Sequence, residues 1–242
     1  MRGLATCAGL ICVWWILQAG FGVPDYLLPS PASVAVAIWT ERKLLAAAAL
    51  TTLVETILGL GLGVAFGMAS ALLMAWSPGA RRWMLPVLLL SQAVPVFALA
   101  PLLVLWLGFG MASKAVMAAM VVFFPVTVAF HDGLARMPQG WLDLVDSMGA
   151  TPWRTMLLVR VPAALPVLGA GLRLAACWAP MGAVIGEWVG ASSGLGYVML
   201  NANARVRTDL MFAALAVLSA MTVGLWWATD RALRRLLYWN AS

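Results

Sequence analysis

A chain of 242 residues that is 64% hydrophobic and only 10% charged, with a mean hydropathy of +0.96, is no soluble domain; those carry roughly 25% charged residues. Several apolar runs reach membrane length, so the predicted fold class is an all-α polytopic membrane bundle of about six transmembrane helices. The net charge of +6 does not mark a nucleic-acid surface, because the basic residues lie in short segments beside the apolar runs, as orientation determinants do.

Arg2 and an apolar run over 4–22 predict a first span. A signal peptide is the rival reading; its apolar core would be shorter, and no clean small-x-small cleavage site precedes Pro24. The segment 24–43 holds Pro24, Pro29 and Pro31, with Ser30 or Ser33 placed to cap a short helix ending at Glu41, Arg42 and Lys43. The next run, 44–76, would reach about 48 Å as a helix against about 30 Å of hydrocarbon. A span over 50–76 is expected, with the first turns outside the bilayer and Glu55 near the outer boundary, where an acid is less costly. Gly59, Gly63 and Gly67 recur every fourth residue, a stripe that lets another helix approach closely. No Gly-Lys-Ser/Thr follows them, so the glycines do not form a nucleotide loop.

A basic turn, Ser77 to Arg82, leads to a third span over 85–107, interrupted by Pro86, Pro95 and Pro101. Proline inside a span is tolerated where protein or a cavity re-satisfies the freed backbone, so Gln92 and Pro95 are candidate pathway residues; a kinked packing helix is the competing reading. The fourth span, 115–131, contains Pro125 and ends at His131-Asp132, a pair that suits interfacial capping better than a proton relay. The fifth, 165–189, carries Pro180, a second stripe at Gly182, Gly186 and Gly190, and Glu187 near its outer end. Asn201, Asn203, Arg205 and Arg207 precede the sixth span, 210–228. Cys7, Cys12 and Cys177 all fall in apolar runs, without disulfide or metal spacing, so no metal site is expected.

With the N-terminus inside, nine basic residues fall on the cytoplasmic side and five outside, Lys114 among the latter. The positive-inside rule therefore places both termini, and the loop 133–162, in the cytoplasm. That loop is the longest reasonably polar segment. Asp143, Asp146 and Ser147 precede Gly149-Ala150, where Gly149 can end a helix in the left-handed conformation. Thr151 reads as an N-cap, Pro152 as the first residue of a second helix, and Trp153 follows. Pro162 and Pro166 mark where that helix should bend or stop. Nothing in this geometry is catalytic; it has the form of a docking element.

The spacing from Gly149 to Val159-Arg160-Val161-Pro162 resembles the EAA loop of ABC importer permeases, E-A-A, three residues, G, nine residues, I-x-L-P. Gly149 and Pro162 match in register, Val159 and Val161 are conservative stand-ins, and Asp143-Leu144-Val145 keeps only the first acid. The segment from Pro101 to Gly110 resembles the P-L-x-x-L-W-x-G-x-G run of the sulfonate, taurine, nitrate and thiamine-precursor branch. The resemblance implies a bacterial cytoplasmic-membrane permease whose loop docks on a separate ABC ATPase. It further implies an extracytoplasmic substrate-binding protein, and a second permease copy. ATP and magnesium would belong to the ATPase, with no cofactor bound here. Glu187-Trp188 and Asn201-Ala-Asn203 are most similar to permeases for hydroxymethylpyrimidine-type thiamine precursors, with alkanesulfonate or taurine as the other substrate type. These four residues are candidate gate residues; the blander reading makes Glu187 an anchor paired with an arginine and the asparagines helix caps.

The chain carries no Walker loop, metal-ligand cluster or nucleophile set, so no catalytic residue is assigned and no enzyme is expected. An ion-coupled secondary transporter is the alternative; it needs intramembrane acids, and Glu55 and Glu187 are both expected near boundaries.

Overall fold

The computed structural model describes residues 2–20, 22 and 24–239. Phe21, at the end of the expected first span, and the side chains of Arg2 and Cys7 lie outside the described residues. The described chain is helical: α1 (Arg2–Gly20), α2 (Pro31–Thr40), α3 (Arg42–Trp76), α4 (Pro78–Ala93), α5 (Val96–Leu107) and α6 (Met111–Ala135). There follow α7 (Gln139–Ser147), α8 (Pro152–Thr155), a π-helical turn (Met156–Arg160), α9 (Val161–Gly190), α10 (Leu195–Ala204) and α11 (Thr208–Leu236). Among the described residues α3, α6, the run Pro152–Gly190 and α11 are long and apolar enough to cross a membrane. The bent pair α4–α5 adds a fifth crossing if taken as one span.

Short polar signals start several helices. Ser30 accepts from the Ser33 backbone N–H at 3.1 Å with Pro31 in the first turn of α2, and Ser77 does the same for Ala80 at 3.2 Å, with Pro78 opening α4. Pro86 and Pro101 lie inside α4 and α5 without ending them, whereas the chain bends by 100° between the two helices. Val94 is extended (φ −84°, ψ 120°), as the ring of Pro95 demands of the residue before it, and α4 stops there. The expected single span over 85–107 is therefore two helices at a right angle.

The centre of the molecule is α6, packed between α3 and α9. An ideal Cβ on Gly63 would lie 2.7 Å from Val122 Cβ and on Gly67 2.9 Å from Val126 Cγ1; on Gly59 it would be closer still to Ala118. From the other side Gly182 would meet the Ala118 Cα at 2.7 Å and Gly186 the Lys114 Cα at 3.1 Å. The first stripe and Gly182 and Gly186 of the second thus press against the same helix, while Gly190 meets Val104 of α5 and Phe109, and only residues without a side chain allow those distances. Val122, Val126, Phe130 and Leu134 of α6 are buried in the resulting core with Ala71, Ala164, Leu168, Ala175 and Ala179.

Pro162 and Pro166 do not stop their helix: α9 runs through both. The π turn just before it shifts the hydrogen-bond register by one residue, and Pro162 sits in the first turn of α9, where a missing N–H is tolerated.

Candidate functional site

At one end of the bundle, α7 closes with two backbone bonds, Gly149 N–H to Asp146 C=O at 2.9 Å and Ala150 N–H to Val145 C=O at 3.3 Å. With Gly149 at φ +71° this is a Schellman stop. Thr151 then caps the next helix, its Oγ1 accepting from Arg154 N–H at 3.4 Å, with Pro152 first in that helix. The turn is therefore rigid on both sides of Ala150. No residue of α7 is buried, and Trp141, Leu144, Met148, Trp153 and Leu158 are all more than half exposed. Asp143 accepts from Gln139 Nε2 at 3.2 Å, and Asp146 lines a cavity with Arg160 and Thr155. Trp153 stacks edge-on against Trp76 at the end of α3, ring centres 5.5 Å apart, which ties the turn to the bundle. Val159 is half-buried in the π turn.

At the far end of α9, Glu187 lies in the last turn of the helix and is 1% exposed, and Glu55 of α3, 4% exposed, lies against it. Glu187 has no arginine partner among the described residues. Thr52 Oγ1 donates to its Oε1 at 2.6 Å, and the Gly196 N–H donates to its Oε2 at 2.5 Å. The same Thr52 oxygen accepts from the Leu195 N–H at 2.8 Å. Gly194, at φ +110°, and Gly196 bring the backbone up to the carboxylate; a Cβ on Gly196 would lie 2.8 Å from Glu187 Oε2. Glu55 Oε2 and Thr56 Oγ1, both buried, have no hydrogen-bond partner among the described residues.

Lys114 is 2% exposed. Its ammonium donates to the carbonyls of Phe109, Gly110 (3.0 Å) and Gly190 (2.9 Å), which uses all three of its protons. The Gly190 carbonyl ends α9, so the cation sits at the negative end of a helix dipole and within electrostatic range of both glutamates. Sequence reading missed Thr52 and Lys114. The cue was available for neither alone; only the glycines of Gly108-Phe-Gly110 and Gly194-Leu-Gly196 signalled backbone brought close to something.

The remaining candidates separate. Trp188 is on the exposed face of α9, and Asn203 is exposed on α10. Asn201 donates to the Tyr197 carbonyl one turn back, at 2.9 Å, and caps nothing with its side chain. Gln92 borders a cavity of about 460 Å³ between α3, α4, α5 and α6; Pro95, in the break between α4 and α5, is not part of its lining.

Residues 63–237, the stretch holding Gly63, Gly67, the second glycine stripe and the Schellman turn, match the family described as binding-protein-dependent transport system inner membrane component. The chain belongs to that family. A protein of Haemophilus influenzae described as a probable ABC transporter permease protein is 48% identical, over 98% of this chain and 97% of its own. The formylaminopyrimidine transport permease protein ThiX of Halalkalibacterium halodurans is 36% identical, over 88% of this chain and 86% of its own. The fold agrees: a chain of the inward-facing MetNI methionine ABC transporter superposes with a TM-score of 0.71 at 20% identity, covering 81% of this chain and 97% of that one. The molecule is thus a permease subunit of a type I ABC importer, a multi-pass inner-membrane component. Family membership, not the siting of the glutamates, decides against the ion-coupled carrier.

Proposed function

We propose that this permease forms the solute pathway of an ATP-driven importer, with the turn from Asp143 to Pro162 as the contact for a separate ABC ATPase. The observation that carries the proposal is the exposed apolar row Trp141, Leu144, Met148 and Trp153, set on a turn that two caps hold rigid. Aromatic and methionine side chains in such a row suit the groove of a partner protein. The ATPase supplies ATP and magnesium chemistry; an extracytoplasmic binding protein delivers solute; a second permease copy completes the pathway. Both termini lie in the cytoplasm, on the side of the ATPase. Closure of the ATPase dimer on ATP would pass through the turn and rock the spans between inward- and outward-open states. The solute is a small organic molecule of the thiamine-precursor (hydroxymethylpyrimidine-like) or alkanesulfonate/taurine type, and ThiX, with its named formylaminopyrimidine, favours the first.

The test is a pull-down of tagged permease from mild detergent. Wild type should retain a Walker-motif ATPase, and Leu144→Asp should lose it while inserting normally. Wild type without an ATPase would refute the importer reading; retention by Leu144→Asp would move the contact off α7.

A further inference from the structure

Between the end of α3, the start of α4 and the end of α6 lies a cavity of about 520 Å³, at the end of the bundle that carries the Schellman turn. Arg81 and Arg82 of α4 and Arg160 of the π turn line it, and no acidic side chain among the described residues does. None of these three guanidinium groups has an ion pair or a side-chain hydrogen bond among the described residues. The nearest acid in sequence to the wall, Asp132, is taken by Arg136 at 3.0 Å. Helix α4 adds to the excess, because Pro78 opens it at the cavity wall and its first turn holds no acid, so the positive end of its dipole is left uncompensated there. The fourth polar group is buried. His131 of α6 lines the cavity at 8% exposure and makes no hydrogen bond among the described residues; Asp132 Oδ1, 3.7 Å from its Nδ1, is too far for one. A buried ring nitrogen without a partner is costly unless something in the cavity pairs with it.

The rest of the wall is apolar, with Met74 of α3, Leu85 and Pro86 of α4 and Leu134 of α6. Beyond it α4 exposes Val87 and Leu90, and Trp83 stands exposed beside Arg82, as suits a ring at headgroup depth. We infer that this cavity binds the phosphodiester headgroup of an anionic phospholipid, phosphatidylglycerol in its simplest form. The inference goes beyond the importer reading, since the ligand it assigns is not transported. Guanidinium forks match phosphate oxygens two at a time, and basic pockets between spans hold anionic headgroups in this way. The glycerol would lie against Met74 and Leu85, and the acyl chains would leave along the exposed face of α4. A free phosphate would satisfy the arginines and leave that apolar wall wet. Arg160 also lines the cavity beside Asp146 of α7, so a bound headgroup would sit next to the proposed ATPase contact.

The experiment uses the permease with its co-purified ATPase, stripped of lipid in a neutral detergent and titrated with phosphatidylglycerol or phosphatidylcholine under native mass spectrometry. One phosphatidylglycerol per permease chain should bind at least fivefold more tightly than phosphatidylcholine. Arg81→Gln, Arg82→Gln and His131→Leu should each weaken it, the arginine variants about fivefold, as expected for one basic group at an anionic headgroup. Arg235→Gln, at an exposed arginine of α11 outside the cavity, should leave it unchanged. Equal binding of the two lipids, indifference to Arg81→Gln and Arg82→Gln, or an equal loss in Arg235→Gln would overturn the site. Displacement by an equal concentration of glycerol 3-phosphate would give the cavity to soluble phosphates instead, and binding seen only after the ATPase is removed would give it to the ATPase; either outcome refutes the lipid. Adducts are read on this chain whether or not an ATPase is retained, so absence of the ATPase sinks the importer reading and leaves the lipid site to be judged by its own adducts.

Discussion

Thr52 joins three elements through one oxygen: it donates to Glu187 of α9, accepts from Leu195 at the start of α10, and belongs to α3. Thr52→Val keeps the shape and removes the oxygen, stranding a buried N–H and a carboxylate oxygen at a cost of about 1–3 kcal/mol. The purified chain should then melt earlier in detergent, and Thr52→Ser should restore the midpoint; equal melting of Thr52→Val and wild type would refute this role. At the opposite end Gly149→Val should strain the left-handed turn by about 1–2 kcal/mol, although a Cβ there would meet nothing. Its effect should therefore appear as weakened ATPase retention in the pull-down, with little change in melting. These two residues differ in how visible they are. Gly149, Thr151 and Pro152 are a local signal, since the cap, stop and restart they encode lie within four positions. Thr52, Glu55, Lys114 and Glu187 meet only after three helices have packed, and nothing in a window around any one of them names the others.

Among the elements, the glycine stripes were legible because their period is the helix period, and the partner they shared was not. Gly63→Leu should force α3 away from α6, where a first side-chain atom already lies 2.7 Å from Val122 Cβ. Gly61 is two residues away with open space at its Cβ, so Gly61→Ala should be neutral or stabilising by about 0.5–1 kcal/mol. Monodispersity on size exclusion and the melting midpoint read both; equal damage from the two would mean that the stripe does not set the α3–α6 distance. Prolines proved the least reliable marks. Pro95 ends a helix because Val94 takes the extended form before it, whereas Pro86, Pro101, Pro162 and Pro166 are absorbed, the last two just beyond a π turn. A proline states which N–H is missing, not whether the surroundings can do without it.

Across the whole molecule, α11 is held to α9 near its C-terminal end by Asp230, which accepts from Arg173 and Arg234, each at 2.7 Å. Asp230→Ala should leave Arg173 unpaired between the helices, lower the melting midpoint and expose the end of α11 to protease. Replacing Arg173 and Asp230 together should be milder than losing Asp230 alone, because no charge is then stranded; a double variant at least as damaged would mean the pair is incidental.

The run Pro152–Gly190 is 39 residues without a break in helix, about 58 Å from end to end. Its first residues leave the Schellman turn, and its last turn holds Glu187 against Thr52 and the Gly194–Gly196 backbone. Such an object is a lever. With its fulcrum where Gly182 and Gly186 lean on α6, the arm toward the Schellman turn is about 48 Å and the arm toward Glu187 only about 5 Å. A tilt of about 5° therefore swings the Pro152 end by about 4 Å and shifts Glu187 by less than about 1 Å, within the reach of a hydrogen bond. Movement at the proposed ATPase face thus leaves the carboxylate fastened to Thr52 and Gly196, and the run pivots about a latched end.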